Sequence, residues 1–342
     1  MRRFPQSRLG TALISRCSSG EEVLVLVAQN LKSLDHIHCT ASLHLLAKFS
    51  LKDGRLASRA LGALLSRQAD FLQQGRLDGR QMANTLWALA RLRGAATGAR
   101  PGLVAEVSTQ LAACAMDEGL GHQDVSNGLW AMAVLDTHLP RQAELMGELS
   151  SARALTRPQG FNPQELANVI WALASCWSGQ AGDLAKELAK FCVAERSREL
   201  AAAELAAVCW AVAVAALPAS RVQSSLLEPL ADVSQTKMDE FGPREVACLS
   251  WALAVDMPHP RQHPLTHALT KSAQQKAPQF TTQELVSTIW AFTILGLSRP
   301  PNSEYVSDDE QMKKQWDVSD KLVDEEGCQL LTLSGDDNNG TF

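Results

Sequence analysis

Six of the eight tryptophans in this chain recur at a nearly constant interval. Trp87, Trp130, Trp171, Trp210, Trp251 and Trp290 follow one another at spacings of 43, 41, 39, 41 and 39 residues. Each sits in a variant of one phrase. The fullest form is FNPQELANVIWALA at 161–174. Its relatives are QMANTLWALA at 81–90, DVSNGLWAMA at 124–133, ELAAVCWAVA at 204–213, EVACLSWALA at 245–254 and ELVSTIWAFT at 284–293. A fixed period of roughly 20 to 50 residues marks a chain built from stacked supersecondary units.

The start of each phrase carries helix signals. Asn162 is a good N-cap, Pro163 suits the first helical position, and Glu165 stands three residues after the cap. Thr281 with Glu284 and Asp78 with Gln81 have capping-box spacing, and Gly242-Pro243-Arg244-Glu245 repeats the layout with Gly as cap. A helix is therefore expected to open about nine residues before each Trp and to run through it. Placed on that helix with Trp at position 0, the apolar residues fall at −5, −1, 0 and +2 and the small ones at −4, +1 and +3. Such a helix is apolar almost all round and belongs between neighbours. The six tryptophans are then core anchors rather than base-stacking platforms.

One narrow arc differs, at positions −7, −3 and +4. It holds Arg80, Asn84 and Arg91, then Gln123, Asn127 and Val134, then Gln164, Asn168 and Ser175. Ala203, Ala207 and Val214 follow, then Arg244, Cys248 and Val255, then Gln283, Ser287 and Ile294. Asn and Gln offer a base edge both donor and acceptor, and Arg pairs with a base or a phosphate. One such set per repeat suits an extended single strand. The same small polar residues would also serve plain helix packing, and the pattern leaves both readings open.

The stretches between the phrases each have room for one more helix: 55–74, 103–116, 141–155, 181–195, 221–238 and 263–275. Residues 21–50 form a degenerate first unit in which His44 takes the Trp position. Pro and Gly punctuate the joins. Strand signals are poor. The expected fold is all-α, an α-solenoid (right-handed superhelix) of about six to seven helix-turn-helix repeats of 39–43 residues over 21–297, because a single hairpin cannot bury its own apolar faces.

The ends differ from this array. Residues 1–20 carry four arginines and no acid, which predicts an organellar transit peptide or a disordered basic tail. Residues 298–342 are expected to be a mostly disordered acidic tail. From 300 onward there are eleven acids against three lysines, so the net charge of −5 hides a remainder of +3. No apolar run is long enough to span a membrane. The eight scattered cysteines form no C-x-x-C pair and fit a reducing compartment.

Reaction chemistry is sparse. No nucleotide-binding loop, dinucleotide fingerprint or H-E-x-x-H motif occurs. The acids six before each Trp (Asp124, Glu165, Glu204, Glu245, Glu284) recur like a catalytic series, but they stand where an N3 residue caps a helix. His259, His263 and His267 are four apart, yet Pro260 and Pro264 interrupt any shared helix face. No metal, no cofactor and no small-molecule substrate are expected, and the chain is not expected to be an enzyme.

The phrase at 161–174 resembles the repeat of octotricopeptide-repeat proteins, and the related helical repeats of FAST-kinase-like, RAP-domain organellar proteins. The likeness covers roughly 35–296 and weakens in the fourth and fifth units, which keep Trp but lose the Asn at −3. It implies an α-solenoid that binds single-stranded organellar RNA (mRNA or rRNA) sequence-selectively along its concave face. Roles in RNA processing, stability or translation follow, beside other RNA-processing proteins, in the mitochondrial matrix or the chloroplast stroma. Carried over by position, the RNA-contact candidates are Arg80, Asn84, Arg91, Gln123, Asn127, Gln164, Asn168, Arg244, Gln283 and Ser287. Many relatives end in an endonuclease-like RAP domain, which 297–342 is too short and too acidic to form. The alternative is a protein-interaction scaffold of the same shape.

Overall fold

The structure is a computed structural model that describes residues 12–49, 55–92, 102–115, 120–135, 141–176, 179–216, 226–257 and 263–297. The acidic tail expected at 298–342 lies outside these residues, as do His259 and residues 1–11. Every element among the described residues is helical. The chain divides into two compact units, Met1–Phe161 and Asn162–Phe342.

In the first unit the helices are α1 (Gly20–Asn30), α2 (His36–Lys48), α3 (Arg55–Gln73), α4 (Gly79–Arg91), α5 (Leu103–Ala113), α6 (His122–Val134) and α7 (Gln142–Leu149). In the second they are α8 (Pro163–Ser175), α9 (Gly179–Phe191), α10 (Ala202–Ala216), α11 (Leu227–Thr236), α12 (Pro243–Asp256), α13 (Pro264–Lys276) and α14 (Thr282–Ile294). The even-numbered helices are those that carry the repeated phrase. Each begins eight residues before its Trp, and α2 begins eight before His44.

That common start has a local cause. Asp35, Asp78, Asn162 and Thr281 cap their helices by accepting an N3 backbone N–H, at 2.9, 2.7, 2.8 and 3.3 Å. The recurrent acids answer in the other direction. Asp124, Glu165, Glu204 and Glu284 accept the backbone N–H of Gly121, Asn162, Ala201 and Thr281, at 3.0, 3.0, 2.7 and 2.8 Å. Each cap is worth about 1 kcal/mol and satisfies N–H groups that a helix start leaves orphaned.

Within each unit the phrase helices pack on one another in series: α2 on α4 and α4 on α6 in the first, α8 on α10, α10 on α12 and α12 on α14 in the second. The odd-numbered helices lie against them, and α1 meets α3, α5 meets α7 and α11 meets α13. Equal positions face each other across the phrase helices. Small residues allow the close approach. A side-chain carbon on Gly128 would lie 2.8 and 2.9 Å from methyl carbons of Leu111 and Leu149, so α6 can be approached this closely only without one. Trp130, Trp171 and Trp210 are buried, while Trp87, Trp251 and Trp290 are half-buried.

Three stretches depart from the expected helices. The helix predicted over 141–155 splits into α7 and a 3₁₀ turn, Arg153–Thr156. Ser150 and Ser151 sit at the break, and their hydroxyls donate back to the carbonyls of Met146 and Glu148, both at 2.6 Å. Such bonds offer the backbone an alternative to the helical ladder. After α9 the chain widens into a π turn, Cys192–Arg196. At the N-terminal end residues 12–15 are helical and Ile14 is buried, so the packed part begins inside the stretch read as leader or tail. No helix among the described residues is long and apolar enough to cross a membrane.

Candidate nucleic-acid interface

In the first unit the polar arc lies on α4 and α6, next to α2. Trp87 meets two polar rings or planes. The His44 imidazole stacks on it with centroids 4.7 Å apart and planes 29° apart, and the Arg91 guanidinium lies 5.6 Å from its ring centroid. Both contacts follow from the register: His44 and Trp87 share position 0, and Arg91 is one turn beyond Trp87 on the same helix face. Arg80 is exposed two turns before Trp87, and its charge reaches His44 and Asp124. Gln123 is exposed as well.

The asparagines at −3 do something else. Asn127 Nδ2 donates to Asn84 Oδ1 at 3.2 Å, and both residues are half-buried. This bond ties α4 to α6 and uses one donor and one acceptor that a base could otherwise take. A carboxamide has further hydrogen-bonding capacity, so the pair can hold the helices and still present polar edges.

In the second unit the candidates stand apart. Gln164 is exposed on α8, whereas the Asn168 carboxamide oxygen is buried with no hydrogen-bond partner. The next residue at −3 is Ala207 on α10, which offers no side-chain donor. On α10 the whole arc is Ala203, Ala207 and Val214, so an apolar strip separates α8 from Arg244 on α12. Arg244 is half-buried, and burial lowers its pKa against the opposite pull of Cys248, Glu245 and Glu284. Gln283 and Ser287 are half-buried on α14. Here the tryptophans run as a series, Trp171 to Trp210 and Trp210 to Trp251, with centroids 6.2 Å apart in both pairs.

His263 caps α13 through its ring nitrogen and bonds Asp232 at 3.2 Å, so the structure gives it a turn-closing role. No group of three metal-ligating side chains occurs among the described residues. Burial pushes the Cys39, Cys192, Cys209 and Cys248 thiols up to about 12, which keeps them protonated and unreactive.

No family model matches the chain, and comparison with curated proteins finds no match either.

His44 makes the site pH-sensitive. Burial first, and then the charges of Lys48 and Arg80, lower its pKa to about 4. The folded value lies below the unfolded one, so the stability tied to neutral His44 is present above about pH 6.5 and is lost as pH falls toward 4. Between about pH 7.5 and pH 5 the loss is about 2 kcal/mol. Urea unfolding of the native chain and of His44→Gln should diverge by that amount over this range, and ring NMR should place the His44 midpoint near 4. A midpoint at the ordinary value would refute the packing of His44 against Trp87.

Proposed function

We propose that the chain is an α-solenoid that binds single-stranded RNA and acts in organellar RNA processing, stability or translation, by binding rather than catalysis. The observation that carries this reading is the cluster on Trp87: a stacked His44, a guanidinium at 5.6 Å and the exposed Arg80 on the same helix. Cations interleaved with half-exposed aromatic rings suit a strand whose phosphates are neutralised while its bases stack. Gln123, exposed on α6 at the position that Arg80 holds on α4, would extend the polar contacts. The Arg-rich, acid-free start supports delivery to the mitochondrial matrix or the chloroplast stroma.

The test is recovery of crosslinked RNA from the tagged full chain in its native cell, beside Arg80→Ala/Gln123→Ala. Both residues are exposed, so the variant should melt as the native chain does. Each lost base or phosphate contact is worth about 1 to 3 kcal/mol, so RNA yield should drop at least about tenfold. Affinity of the native chain for the recovered RNA should fall steeply with salt. Equal yields from both proteins would refute this face. No RNA above background would favour a protein scaffold, a reading that the apolar arc of α10 also suits.

A further inference from the structure

In the first unit the N-terminal ends of the phrase helices lead to a cationic cluster beside α2. Arg80 on α4 and Gln123 on α6 both hold position −7 and are exposed. On α2 the same position is Ile37, 37% exposed, which has nothing to offer a phosphate. Charge comes from the neighbouring turn instead. Arg76 is exposed between α3 and α4 and reaches back to the first residue of α2, where its Nη2 lies 3.4 Å from His36 Nδ1.

Phe71, near the end of α3, organises the cluster. Its ring is buried, and three basic side chains lie against it. The guanidinium carbons of Arg76 and Arg67 are 4.8 and 4.9 Å from its centroid, and the His36 ring meets it edge-on at 6.0 Å. The attraction of the ring face for a cation orders both guanidinium groups. Arg67 is held further, because its Nε donates to the Leu34 carbonyl at 2.8 Å and its Nη2 to the Lys32 carbonyl at 3.3 Å. One guanidinium would suffice to cover the ring. The second adds like-charge repulsion that an anion relieves. No carboxylate among the described residues forms an ion pair with Arg67 or Arg76. Asp35 and Asp78, the acids nearest His36 and Arg76 in sequence, are committed to capping α2 and α4. Each guanidinium has five N–H groups, so both keep donors to spare. Oriented forks of uncompensated charge match a phosphate.

We propose that this cluster binds a backbone phosphate of the RNA strand, so that the strand crosses the N-terminal ends of α6, α4 and α2 and reaches Arg76 and Arg67. The proposal rests on the RNA-binding reading above and adds a path. That path follows position −7 rather than −3, where Asn84 and Asn127 are bonded to each other. A phosphate contact positions a strand without reading its bases, so the cluster adds affinity for any sequence.

Fluorescence anisotropy of the full chain with a labelled pool of random single-stranded RNA, over a salt series, tests this. Arg76→Ala should weaken binding about tenfold at low salt. It should also reduce the slope of log affinity against log salt by about 0.7, the share of one phosphate. Arg76→Met keeps an apolar cover on Phe71, so it should reproduce both losses with an unchanged melting temperature even if Arg76→Ala melts earlier. Arg76→Lys keeps the charge but not the fork, so it should restore the slope and only part of the affinity. If Arg80→Ala/Gln123→Ala weakens binding while Arg76→Met changes neither affinity nor slope, this proposal falls and the RNA reading stands. A native chain that leaves the pool unbound overturns both. A co-purifying protein lost on Arg76→Met, with RNA binding unchanged, would give the cluster to an acidic protein surface and overturn the proposal.

Discussion

Trp171→Ala is expected to destabilise the second unit by about 4 kcal/mol, close to the whole stability of many domains. Trp171 is 0% exposed and packs against Trp210 at 6.2 Å between centroids. Truncation to Ala removes most of an indole from a close-packed site, and the neighbouring helix α10 is too rich in packed Ala and Val to collapse into the gap. Trp171→Phe should cost far less, about 1 to 2 kcal/mol. The indole Nε1 is buried and has no hydrogen-bond partner, so its removal relieves a desolvated donor while the lost ring volume costs packing. Urea unfolding of the two variants gives the comparison. The pair also separates core from contact: if Trp171 stacked on a base, Trp171→Phe would weaken RNA capture, whereas a core Trp171 leaves it unchanged. A Trp171→Ala variant as stable as the native chain would remove the repeated tryptophan from the core altogether.

The features written locally and repeatedly in the sequence are the ones that could be read from it. The period, the caps and the helix starts all depend on residues within one turn of each other. Seven helices accordingly open eight residues before Trp or His44. The −3 arc was legible as a shared position but not as a bond. Whether Asn84 meets Asn127 depends on two helices approaching in register, and where Ala207 follows, the carboxamide oxygen of Asn168 is left without a partner. Arg244 differs in its surroundings for a similar reason. Its position is exposed at Arg80, Gln123 and Gln164, but on α12 Glu245 and, from α14, Glu284 stand near and the side chain is half-buried. The odd-numbered helices carry no repeated phrase, so nothing in their spacing marked the residue on α3 that joins two phrase helices.

That residue is Gln68, 0% exposed, and Gln68→Ala is expected to cost about 3 kcal/mol. Its Nε2 donates to Thr40 Oγ1 on α2 and to Thr85 Oγ1 on α4, both at 2.8 Å. Each threonine hydroxyl in turn donates to its own helix, Thr40 to the His36 carbonyl at 3.0 Å and Thr85 to the Gln81 carbonyl at 2.7 Å. The hydrogens therefore all run one way, from Gln68 through the threonines into the helix backbones. This direction fixes what each substitution should do. Gln68→Glu brings a carboxylate that cannot donate to hydroxyls already committed as donors, and it buries a charge, so it should be the most destabilising of the series. Gln68→Met keeps the volume, loses two hydrogen bonds and also removes the buried Oε1, which has no partner; these effects nearly offset, at about 1 kcal/mol. Thermal or urea unfolding should rank the variants Met, Ala, Glu in order of increasing cost. If Met proves as costly as Ala, the hydrogen bonds outweigh the packing; if Glu is tolerated, the threonine hydroxyls can reverse and the one-way network is wrong.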